Sequence, residues 1–91
     1  MRIVFDPAKN AVNIRDRSLA FEQAAEFDFS TALIVEDVRR EYPERRFQSL
    51  GYIGQRLHML VFSRIAGGVR VISFRKANKR EVARYENEKN C

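Results

Sequence analysis

The stretch "RLHMLVFSRIAGGVRVISFRKA", residues 56 to 77, decides the fold. Its first part, "RLHMLVFSRI" (56 to 65), is the most apolar segment of the chain, so it reads as a central β-strand. Gly67-Gly68 reads as a hairpin turn, because both residues tolerate positive φ. "VRVISFRKA" (69 to 77) then reads as the return strand. Such a hairpin places residues near 64 opposite residues near 71, and Arg75 nearer to 60.

Working upstream, "RRFQSLGYI" (45 to 53) alternates as a strand does. Gly51 and Gly54 mark a bend or tight turn, with "YIGQ" as the connection to the next strand. "TALIVED" (31 to 37) is a short apolar run and a further strand. Before it, "RIVF" can form a short strand, and Asp6-Pro7 opens a helix with Asp6 as N-cap and Pro7 at the first helical position. That helix is short and polar and ends near Asp16 or Arg17. Phe21, Ala24 and Ala25 follow at i, i+3 and i+4, predicting a second short helix over roughly 20 to 27. Downstream, Asn78 and Glu81 have capping-box spacing for a last helix, whose apolar anchors are Val82 and Tyr85. The pattern is α+β: two short N-terminal helices, an antiparallel sheet of about four strands and a C-terminal helix, in one domain over residues 1 to 91. The helices are expected on one sheet face, leaving the other for solvent or a ligand.

Charge says what that ligand is. The net charge is +5, and it is uneven. Residues 1 to 38 carry four Lys/Arg against seven Asp/Glu, while residues 39 to 91 carry thirteen against five. The basic residues gather in "RVISFRKANKREVARYE" (70 to 86), at Arg75, Lys76, Lys79, Arg80 and Arg84, with Glu81 among them. Like charges repel, so this gathering points to an anion: nucleic acid, an anionic membrane or an acidic protein. No apolar run approaches the roughly 20 residues that span a bilayer, and "MRIVFDPAKN" does not read as a signal peptide. The one cysteine, Cys91, excludes a disulfide within the chain and fits a reducing cytoplasm.

Few residues offer chemistry. There is one histidine, no phosphate-cradling glycine loop, and adjacent carboxylates at Glu36-Asp37 that a strand would point to opposite faces. Neither a metal nor a cofactor is expected. What remains is cations on strands and a flanking helix. Guanidinium forks suit phosphate, which selects Arg64, Arg75 and Lys76 as phosphate binders, with Arg80 and Tyr85 next. Phe74 reads as core, whereas Tyr85 sits on a sparsely apolar helix and is open enough to stack on a base. A general base for RNA cleavage can be His58, a carboxylate such as Glu44, or a lysine depressed by its cationic neighbours.

Three groups of residues together carry a family resemblance from Phe5 to about Glu86. They are "FDPAKNAVN" at the start; Glu36, Asp37, Arg39, Tyr42, Glu44, Arg46, Phe47, Leu50 and Gly51 in the middle; and "RVISFRKANKREVARYE" at the end. In order and spacing the chain resembles the BrnT-like toxins of bacterial type II toxin–antitoxin systems. The resemblance implies a RelE-like fold and an endoribonuclease that inhibits translation by cutting RNA. It implies a BrnA-like antitoxin with a ribbon-helix-helix region, which brings operator DNA to the complex and joins two toxins and two antitoxins. The chain departs from the family in "DRSLAF": Arg17, Ser18 and Ala20 stand where a histidine, a glycine and a serine are common. The leading expectation is a metal-independent endoribonuclease toxin; the rival is a non-catalytic basic nucleic-acid-binding module. An acidic, amphipathic antitoxin segment is expected to cover the strand pair 56 to 77 or the last helix.

Overall fold

The computed structural model describes residues 1–90, and Cys91 lies outside them. Along the chain run β1 (Arg2–Val4), α1 (Pro7–Arg17), a 3-10 helix (Phe21–Glu26), β2 (Leu33–Glu36), β3 (Arg46–Ile53), β4 (Arg56–Ile65), β5 (Gly68–Lys76) and α2 (Lys79–Lys89). The strands lie in the order β1-β5-β4-β3-β2. From β2 to β5 each strand pairs antiparallel with the next, which is the expected meander.

The sheet has a fifth strand, and it is mixed. β1 runs parallel to β5, with Arg2 beside Gly68 and Val4 beside Arg70. Ala66 and Gly67 make the hairpin turn, with Gly67 at φ 75°, and Gly68 belongs to β5. A Cβ on Gly68 would lie 1.8 Å from the Arg2 carbonyl oxygen, so β1 can approach only because residue 68 has no side chain. The turn also shifts the pairing, so that Arg64 lies opposite Val69 rather than near 71, and Arg75 opposite Met59. A bulge where Val61 and Phe62 face Ser73 and Val71 leaves Ile72 unpaired. The β3–β4 turn is Gly54-Gln55, and Gly51 stays within β3.

Alternation along the strands builds two cores, one on each face. On one face Phe47, Leu60, Phe62, Val69, Val71 and Phe74 meet Leu19, Phe21, Ala24 and Phe27 from the N-terminal segment. On the other, Leu50, Leu57 and Met59 meet Ala77 and Tyr85, with Val82 beside them. The expectation that every helix shares one face is therefore corrected. α2 begins straight after β5, through the Asn78–Glu81 capping box, and its two apolar anchors turn onto Leu57 and Met59.

α1 docks through polar bonds instead. Its one buried residue is Asn13. The Asn13 amide donates to the carbonyls of Leu19 and Phe74, both at 2.9 Å, and its Oδ1 accepts from Arg17 at 3.0 Å. β1 pairs with β5 only over residues 68 to 70, so the Phe74 carbonyl beyond it is satisfied by the helix. Ser18 ends α1 in the left-handed region at φ 53°, at the position where glycine is common in the resembled family.

Candidate active site

α2 covers only the half of its face around Leu57 and Met59. The other half carries a row across three strands. Arg46 pairs with Ser63, and Ser63 with Arg70, so β3, β4 and β5 each present one of these side chains on the same face. Neighbouring strands lie about 4.8 Å apart, which sets the two arginine backbones roughly 10 Å apart with the serine between them. Ser63 is 0% exposed, and its Oγ has no hydrogen-bond partner. The buried Nε of Arg46 has none either.

The segment between β2 and β3 organises the rim of this row. Its hub is the buried Asp37, whose backbone N–H donates to the Arg46 carbonyl at 2.7 Å. The Asp37 carboxylate accepts from Arg39 Nε at 2.9 Å, Arg39 Nη2 at 2.8 Å and the Tyr42 hydroxyl at 3.1 Å. The Arg39 guanidinium holds the Asp37 carboxyl far below the usual carboxylate range. Tyr42 is thereby fixed with its ring 4.1 Å from the Arg46 guanidinium carbon. The same segment brings Glu44 Oε1 to 3.5 Å from Arg70 Nε. A cavity of about 500 Å³ opens beside Tyr42, Glu44 and Arg46. Ser63 thus lies between two arginines on the neighbouring strands, one carrying the Tyr42 ring and the other the Glu44 carboxylate.

The seven residues selected from the sequence do not gather in one place. Glu44 reaches the row, and Arg75 shares its face. Arg75 is held by both Glu81 carboxylate oxygens, at 2.8 and 2.9 Å, and this fork lowers the Glu81 pKa. Arg64 is on the opposite face, 4.5 Å from the Phe47 ring centroid. His58 and Lys76 pair across β4 and β5 on that opposite face. His58 is buried against Phe74, with its Nδ1 2.9 Å from the Arg56 carbonyl, and burial lowers its pKa. Arg80 lies one turn before Arg84 on α2, beside a shallow groove. Tyr85 is not open as expected: it is buried, edge-on to Tyr52, with its hydroxyl donating to the Thr31 carbonyl at 2.8 Å. Phe74 is fully buried, in keeping with a core role.

Sequence reading missed Ser63, and took Arg46 and Arg70 only as part of the family pattern. Arg46 and Arg70 are far apart in the chain and meet only through the register of the sheet. Counting both hairpins outward from their turns is the signal that could have joined them.

No helix among the described residues is long and apolar enough to cross a membrane. Neither the curated proteins nor the solved structures include a match to this chain. Among protein families, residues 5–81 match the one described as the ribonuclease toxin, BrnT, of type II toxin–antitoxin systems. The chain belongs to that family, the BrnT ribonuclease toxins of type II toxin–antitoxin systems.

Proposed function

We propose that the chain is a metal-independent endoribonuclease that inhibits translation by cutting RNA on the open half-face. The observation that carries this reading is the Arg46–Ser63–Arg70 row with the Glu44 carboxylate 3.5 Å from Arg70. In the reaction, the Glu44 carboxylate takes the proton of the RNA 2′-hydroxyl. The 2′-oxygen bonds to the adjacent phosphorus, the bond from phosphorus to the 5′-oxygen breaks, and the leaving oxygen takes a proton from water. Negative charge builds on the non-bridging phosphoryl oxygens, where Arg46 and Arg70 stabilise it. Their part is to supply fixed charge and forked donors to the phosphoryl oxygens, not to transfer protons. Tyr42, already under a guanidinium, offers a ring beside the scissile step.

Silencing falls to a BrnA-like antitoxin whose ribbon-helix-helix region binds operator DNA and joins two toxins and two antitoxins. The antitoxin segment is acidic and folds as it binds. The enzymatic reading is tested by incubating the purified chain with RNA in excess chelator and identifying the new ends. We expect 2′,3′-cyclic or 3′-phosphate ends. Cleavage only on addition of a divalent ion overturns the metal-free step, and RNA binding without cleavage favours the non-catalytic module.

A further inference from the structure

The buried half of the row is unexplained by folding alone. Ser63 Oγ and Arg46 Nε are both buried without a partner, and register places their residues side by side. Buried polar groups are ordinarily hydrogen-bonded, because an unpaired one forfeits its water contacts and gains nothing. Two such donors side by side, with Arg70 on the next strand, are complementary to an oxyanion with several acceptor oxygens. The Arg70 guanidinium is already faced by an anion of the chain itself: Glu44, at 3.5 Å, with its side chain 47% exposed.

We propose that Arg46 Nε, Ser63 Oγ and Arg70 form a seat for one phosphoryl group, and that Glu44 is its internal competitor. The seat deepens the ribonuclease reading by assigning the atoms that hold the scissile phosphate and the phosphate end left on the product. Ser63 and Arg46 each donate one hydrogen bond to non-bridging oxygens. Arg70 exchanges the Glu44 carboxylate for a third oxygen. The arriving phosphate therefore frees Glu44 from its cation, next to the ribose from which it takes a proton.

The seat is read without RNA cleavage by titrating the full chain with inorganic phosphate and with adenosine 3′-phosphate. The readout is the Arg46 and Arg70 Nε–H resonances. Saturable shifts of both are expected. Ser63→Ala should weaken binding about tenfold, the loss of one hydrogen bond to a charged group. Arg46→Lys keeps the charge but removes Nε, and should weaken it comparably. Glu44→Gln should tighten it about two- to fivefold, because the exposed competing carboxylate is gone, while RNA cleavage falls. Arg15→Gln, an exposed control on α1, should match the parent. If Ser63→Ala and Arg46→Lys bind both probes as the parent does, the seat is overturned, whether or not the chain cuts RNA. If the probes bind as expected and the parent leaves RNA intact, the seat stands and the ribonuclease reading falls. If Glu44→Gln leaves affinity unchanged or weaker, the competitor is overturned.

Discussion

Ser49 and Ser63 are both fully buried on the central strands, and they differ in one respect. Ser49 lies on the face closed by the N-terminal segment, and its Oγ donates to the Leu60 carbonyl at 2.8 Å. Ser63 lies on the half-open face, and its Oγ donates to nothing. The same contrast holds for two arginines, each stacked on an aromatic ring. Arg64 sits over Phe47 on the closed face, while Arg46 sits over Tyr42 beside the unpaired hydroxyl. On the closed face no buried side-chain donor or acceptor among the described residues lacks a partner, and that face serves stability. The other withholds partners from buried donors, which costs stability and suits a site that awaits an anion.

The largest effect that would sharpen this contrast is at Phe74, fully buried on the closed face. Phe74→Ala should destabilise by about 3–5 kcal/mol in denaturant unfolding. A loss under about 1 kcal/mol would mean that the closed face is not the principal core. The second effect depends on pH. Burial holds the folded pKa of His58 below its ordinary 6.5. The neutral ring is therefore favoured by folding: this contribution is complete above pH 6.5 and is lost as pH falls through that value toward the folded pKa. Stability should drop over that window by at most about 1.4 kcal/mol per pH unit, and His58→Gln should flatten the curve. A curve that rises on acidification would contradict the buried, neutral ring.

The serines provide the next comparison. Ser49→Ala should cost about 1 kcal/mol, since it removes a buried side-chain hydrogen bond. Ser63→Ala should be neutral or stabilising by up to about 1 kcal/mol, since it removes an unpaired buried hydroxyl. Equal losses at both positions would erase the distinction between the faces. The smallest effect is at the helix end. Ser18→Gly should stabilise by about 0.5 kcal/mol by relieving left-handed strain at φ 53°. A loss there would show that the serine side chain has a role of its own.

The readable parts of the sequence were those in which neighbours along the chain decide structure. The apolar run 56 to 65 is β4, the Asn78–Glu81 spacing is the α2 cap, and Asp6-Pro7 opens α1. β1 was less legible as part of the sheet, because three residues show no period and its parallel partner lies more than sixty residues away. The face taken by α2 was equally hidden, since Val82 and Tyr85 announce a buried side but not which sheet face receives it. Charge density drew attention to 70–86, yet there Glu81, set among the cations, is the bidentate partner of Arg75. Arg46, Ser63 and Arg70 carried no local mark, because a cluster made by register is invisible until both hairpins are counted and the bulge at Ile72 is known.

The central claim is that RNA is cut on the half-open face and not at the cations of the closed one. The most direct test is the single-turnover cleavage rate of one RNA by Arg46→Gln and by Arg64→Gln, each confirmed folded. Both changes remove one guanidinium from an aromatic ring, so charge and stacking are matched. We expect Arg46→Gln to lose about a hundredfold or more, the scale of a lost transition-state donor, and Arg64→Gln to stay within about threefold of the parent rate. A parent-like Arg46→Gln beside a disabled Arg64→Gln would place the chemistry on the other face and contradict the account.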